Sequence, residues 1–186
     1  MNIYELPTSI DAAGQQLHIR NDGDWRMVID VNIALTDPEL DERERAVAAL
    51  TIFYDCKIED ISNMQAALDG MMTFISVGEN ETAQVKKPKL IDWEEDAGII
   101  ISGINGVLKR EVRAERYMHW WTFIAAYMAI GDSVLATVVS IRDKIARGKK
   151  LEKHEQEFKR ENPQYFGIRK RDAEASYALL LELIDG

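Results

Sequence analysis

"YMHWWTFIAAYMAIGDSVLATVVSIRDKIARGKK", residues 117–150, constrains the fold more than any other part of the chain. Two adjacent tryptophans open it, a long apolar run follows, and a basic tail closes it. Tyr117 to Ile141 spans 25 residues, enough in length for a membrane helix. Gly131-Asp132-Ser133 falls in its middle, and Asp132 at a bilayer centre would cost about 2.5–3.5 kcal/mol or more. Gly131 reads instead as the residue after a helix end, and Asp132 or Ser133 as the cap of the next helix. The run then divides into two helices, each too short to span a bilayer. Trp120, Ile124 and Tyr127 share one face of the first, and Trp121, Ala125 and Met128 share another. A helix apolar on most sides belongs in the middle of a bundle. The expectation is a buried helical hairpin and no membrane association.

The rest of the chain supports a helical body. Asp22-Gly23 is a turn signal and closes a short strand or an extended arm. Asp24 can cap a helix carrying Trp25, Val28, Ile29 and Ile33. In "TDPEL", Asp37 is placed to cap and Pro38 suits a first helical position, with Glu39, Asp41 and Glu42 complementing the dipole. That helix runs through Val47, Leu50 and Tyr54. A third, about 59–77, lines up Ile61, Met64, Leu68, Met71, Met72 and Ile75, and Gly78 ends it. "GENETAQVKKPKL" is polar and loop-like. "DWEEDAGIIISGINGVL" has acids leading and apolar residues trailing, the polarity of a helix. A charged helix over about 150–161, a break at Asn162-Pro163 and an amphipathic helix over about 172–184 complete the set. The fold class is all-α: a compact multi-helix bundle with a central apolar hairpin and an irregular N-terminal arm. The organisation is an arm over 1–23, a helical core domain over 24–148 and a charged helical extension over 149–186.

Charge bears on partners. The 186 residues carry a net −9. Residues 141–171 hold eleven Lys/Arg against five Asp/Glu, a net +6, so the remainder carries −15. This asymmetry suits two surfaces with different partners, or two faces that meet in a homo-oligomer. Acids interleave the basic stretch at ion-pair spacing, which favours an acidic protein partner, or a face that simply confers solubility, over nucleic acid. Cys56 is the single cysteine, which suits a reducing cytoplasm. The N-terminus lacks a basic region and a long apolar run, so it does not read as a secretory signal.

Motifs for chemistry are weak. His119 beside the tryptophans has no second histidine at ligand spacing, and reads as a core side chain that satisfies a backbone carbonyl. The four carboxylates of "DWEED" fall at a helix start, where acids are expected for dipole reasons. "GING" lacks basic neighbours and reads as small residues in a closely packed helix. No nucleophile–base pair and no metal motif stands out. The expectation is a non-enzyme without cofactor or metal.

"DWEEDAGIIISGI", "MHWWTFIAAYMAI" and "VVSIRDKIARGKKLEKHEQEFKRENPQYF" follow one another in the order of a group of bacteriophage late proteins, which the chain resembles. Those proteins are encoded just before the tape-measure protein in tailed phages and prophages of Gram-positive bacteria. His119, Trp120, Trp121, Phe123, Ile141 and Arg142 occupy the places of the group's hallmark. Asp24, Trp25, Arg26, Leu35, Asp37, Phe53 and Tyr54 fit an upstream acid-aromatic-Arg, Leu-x-Asp and paired-aromatic pattern. Met118 departs from a leucine, and Thr122 from a basic residue. The resemblance covers about residues 20–166 and implies a tail assembly chaperone. Such a protein would bind the tape-measure protein in the host cytoplasm, give way to the tail-tube protein and be absent from the mature virion. A structural tail or connector component, and a nucleic-acid-binding regulator using residues 141–171, remain as alternatives. The candidate partner surfaces are an adaptable methionine groove, Met64, Met71 and Met72, with core packing as the other and favoured reading of these three, and the exposed basic residues Lys149, Lys150 and Lys153. His119, Trp120, Trp121, Phe123 and Ile141 are expected in the core.

Overall fold

Asp24 accepts the backbone N–H of Arg26 and caps α1, Trp25–Leu35, as its position before an apolar-periodic run predicts. In a computed structural model, which describes residues 5–77 and 90–167, the described chain is mostly helical, with one small sheet. It divides into two compact units, Met1–Ala83 with Tyr117–Phe123 and Arg171–Gly186, and Gln84–Arg116 with Ile124–Lys170. Residues 78–89 of the expected loop over 78–90, among them the expected terminating Gly78, and the helix over 172–184 lie outside the described residues.

The first unit opens with β1, Ser9–Ala12, antiparallel to β2, Gln15–His18, with Ile10 opposite Leu17. Ala13 and Gly14 both take positive φ, the geometry of a two-residue hairpin turn. Asp11 accepts the Gly14 N–H at 2.6 Å. Part of the expected arm is thus a β-hairpin, and β1 packs on α3, Met64–Ile75. Ile10 occupies the place a Cβ on Gly70 would take.

α2, Glu42–Phe53, packs on α1 and α3. Its cap is Asp41, which forms a reciprocal capping box with Glu44. Asp37, the sequence-based choice, instead accepts the Glu39 N–H in a turn. The box satisfies two orphan donors, where Asp37 alone would satisfy one. α3 starts later than expected, capped by Asn63, because Ile58–Asp60 forms a separate 3-10 turn. It ends at Ser76, and Val77, not a glycine, takes the left-handed conformation after it. Val28, Val31, Ala49, Leu50, Phe53, Leu68 and Met71 are fully buried. Buried Tyr54 stacks edge-on against Phe53 and donates its hydroxyl to the Ala67 carbonyl.

The second unit contains α4, Ala97–Leu108, packed on α6, Val134–Ala146. Lys109 in the left-handed conformation ends α4. Asn105 then accepts the Val112 N–H and donates to Glu111. Ser133 caps α6 by accepting the Ala136 N–H. α7, Lys153–Glu161, begins with a capping box between Glu152 and Glu155, and Pro163–Tyr165 follows as a 3-10 turn.

α5, Trp120–Met128, has its first four residues in the first unit and the rest in the second. It stops before Gly131, which is not left-handed and so does not serve as the expected terminating glycine. Ile130 instead turns onto Gly103 of α4, where a Cβ would approach its Cδ1 to 2.7 Å. Gly103 of "GING" is therefore a packing residue. No helix among the described residues is long and apolar enough to cross a membrane.

Candidate functional site

The tandem tryptophans cap a different helix from their own. The last carbonyls of α3 have no intrahelical donor. Trp120 Nε1–H donates to Ile75 O and Trp121 Nε1–H to Phe74 O, each at 2.9 Å. Trp120 is 2% exposed and stacks on Phe123, which is fully buried and stacks on Trp25 at 4.5 Å. Trp121 is half-buried.

His119 caps α5. Its carbonyl accepts the Phe123 N–H, and its Nδ1 accepts the Trp121 N–H at 3.0 Å. An Nδ1 that accepts leaves the proton on Nε2, which lies 3.1 Å from the Pro7 carbonyl and donates to it. The ring is 1% exposed, and burial holds its pKa below the usual histidine range. The expected carbonyl contact is present; the helix cap was not anticipated.

Asp24 ties the upstream motif to this cluster. One of its oxygens accepts the Arg26 N–H, and the other accepts the Met118 N–H, 94 residues away in sequence. Trp25 N–H donates to Met118 O, and the Arg26 guanidinium pairs with the Asp24 carboxylate. The acid-aromatic-Arg pattern and the His-Trp-Trp pattern therefore form one assembly. Gly23 permits it: its φ is +77°, and a Cβ there would approach Phe74 Cζ to 2.7 Å and His119 Nε2 to 3.2 Å.

In the second unit, Ile141 is fully buried, and the neighbouring Arg142 forms a hub. Its guanidinium holds Asp96 through both carboxylate oxygens, at 2.6 and 2.9 Å. It also donates to the carbonyls of Leu90 and Tyr165. Arg142 is 6% exposed and Asp96 2%, so the pair is desolvated and each charge depends on the other. Asp96 Oδ2 also accepts the Asp92 N–H, and Asp92 accepts the N–H groups of Glu94 and Glu95. The "DWEED" acids are thus tied to the start of α4. Among the described residues, no group of three or more His, Cys, Asp or Glu side chains is placed to hold a metal ion.

The candidate partner residues separate. Met71 is fully buried, while Met64 and Met72 are half-buried. Lys149, Lys150 and Lys153 are exposed and have no acidic partner among the described residues, whereas Lys144 pairs with Glu155 at 2.6 Å and Arg147 with Asp143 at 2.8 Å. Among the described residues the most open large apolar side chain is Met128, 75% exposed at the end of α5. Sequence periodicity put it on one face with Trp121 and Ala125 in a helix expected to be buried on most sides, so its exposure departs from that expectation.

The profile of the Bacteriophage Gp15 protein family matches residues 3–166. No curated protein and no solved structure matches the chain.

Proposed function

The chain belongs to the Bacteriophage Gp15 protein family, and from that premise we propose that it is a non-enzymatic tail assembly protein, a chaperone that binds the tape-measure protein before the tail tube polymerises. The observation that carries this reading is the use to which its polar signature is put. His119, the two indoles, Asp24, Asp96 and Arg142 are spent on helix ends and buried pairing within the protein, which suits a rigid binding body more than a reaction centre.

A tape-measure chain is long and rich in apolar helical stretches, so it needs cover until the tube surrounds it. Exposed Met128, a flexible and polarisable side chain, suits reversible contact with such helices, with half-buried Met64 and Met72 as further candidates. The exposed lysines Lys149, Lys150 and Lys153, without an acidic partner among the described residues, suit the acidic surface of a second copy, so that several copies line one substrate by weak contacts. Tail-tube subunits then displace them. The protein acts in the host cytoplasm and leaves before the virion matures.

Affinity capture from an induced lysate tests this reading, with the tape-measure protein as the expected co-purifying species. Mass spectrometry of purified virions separates it from a structural tail component. A chaperone is absent from particles; a fixed copy number per tail would establish the structural role instead.

A further inference from the structure

We infer that His119 is a pH-sensitive latch: neutral, it ties the residues before β1 to the first turn of α5; protonated, it uncaps α5 and loosens the indole caps on the end of α3. The inference does not depend on the chaperone reading. It rests on the ring's two nitrogens having opposite and fixed roles. Nε2–H donates to Pro7 O, and Nδ1 accepts the Trp121 N–H. A second proton can only go on Nδ1, where it would face the N–H already pointing at it. The cap is then lost, and two donors oppose each other in a buried site.

The consequence spreads because Trp120 and Trp121 sit in the turn that His119 caps. Their indoles hold Ile75 O and Phe74 O. Phe74 and Trp121 also pack edge-on against the imidazole, at ring-centroid distances of 5.4 and 5.9 Å. Among the described residues, the ring's hydrogen-bond partners are backbone groups, Pro7 O and the Trp121 N–H. The charged groups on the elements around it, again among the described residues, are Glu5, Arg20, Asp22, Asp24, Arg26, Asp30 and Asp69. Asp24, paired through the backbone with His119, has its carboxylate engaged by Arg26 and the Met118 N–H. The Pro7 carbonyl favours the protonated ring, but burial outweighs it and holds the pKa below the usual histidine value.

A histidine takes up its proton near pH 6.5 in an unfolded chain, and this ring does so at lower pH when folded. Below that value unfolding binds an extra proton. The stability linked to His119 is complete above about pH 6.5 and is lost as pH falls from there through the lower folded value. One proton changes the folding constant by at most about tenfold per pH unit.

The test compares urea unfolding of the wild type and His119→Asn from pH 7.5 down to 5. Asparagine can cap α5 through its side-chain oxygen but does not titrate. The wild-type folding constant should fall more steeply than the variant's, by up to about tenfold per unit, with a change in indole fluorescence. Equal slopes would overturn the latch. Should His119→Asn fail to fold, 15N-correlated NMR of the wild-type His119 imidazole decides, with the histidine of an unstructured peptide, near pH 6.5, as reference. The latch requires the Nε2–H tautomer at pH 7.5 and conversion to imidazolium at lower pH than the peptide. An Nδ1–H tautomer, or titration together with the peptide, refutes it.

Discussion

Replacing Trp120 with alanine tests the scaffold at its most heavily used side chain. The indole is 2% exposed, stacks on Phe123 with centroids 5.8 Å apart, and donates the hydrogen bond that satisfies Ile75 O. Truncating a buried tryptophan costs about 3–5 kcal/mol through lost transfer energy and the cavity left behind. The orphaned carbonyl contributes about 1–3 kcal/mol to a loss of this kind. Trp120→Phe divides the two effects: it keeps much of the ring packing and removes the donor, so its cost should be nearer the second figure. Trp121→Ala should cost less than Trp120→Ala, because Trp121 is only half-buried. Chemical unfolding followed by far-UV circular dichroism measures all three. A loss below about 1 kcal/mol for Trp120→Ala, the range of ordinary surface changes and mild substitutions, would refute the argument and turn attention to these side chains as binding hot spots.

Arg142→Met should destabilise the protein by about 3–5 kcal/mol, because it strands a buried Asp96 carboxylate; the double variant Arg142→Met/Asp96→Leu should recover much of that in the same unfolding assay. Gly23→Ala should cost about 1–3 kcal/mol from its positive φ alone, with the Phe74 contact adding to it, and a melt at the wild-type temperature would contradict the close approach. Lys149→Glu, Lys150→Glu and Lys153→Glu together should leave folding within about 0.5 kcal/mol while weakening self-association in sedimentation runs. That association should itself weaken with added salt, since exposed charges are screened beyond about 8 Å at physiological ionic strength.

Local chemistry made much of the fold legible. Asp24 caps α1 and Ser133 caps α6, each a short polar side chain before an apolar run that can accept an orphan N–H of the first turn. Asp37 misled because Asp41, four residues on, offers a reciprocal box with Glu44, and only the folded chain decides between two good caps. Both tandem tryptophans were expected in the core, where Trp120 lies while Trp121 is half-buried; their use as caps on α3 was not legible, since Trp120 and Ile75 are 45 residues apart. The Asp96–Arg142 pair spans 46 residues, and the sequence assigned Asp96 to dipole compensation alone. The methionine groove was the hardest to read: a 3.6-residue period marks Met71 and Met64 alike as apolar, yet one is fully buried and the other half-buried.

Co-expression with the tape-measure protein of the same phage tests the central claim most directly. The soluble fraction of the tape-measure protein is measured with and without this protein, and again with the triple lysine reversal. The account predicts a largely soluble tape-measure protein only in the presence of the wild type, and less of it with the reversal. A tape-measure protein that precipitates equally in all three would contradict the chaperone role.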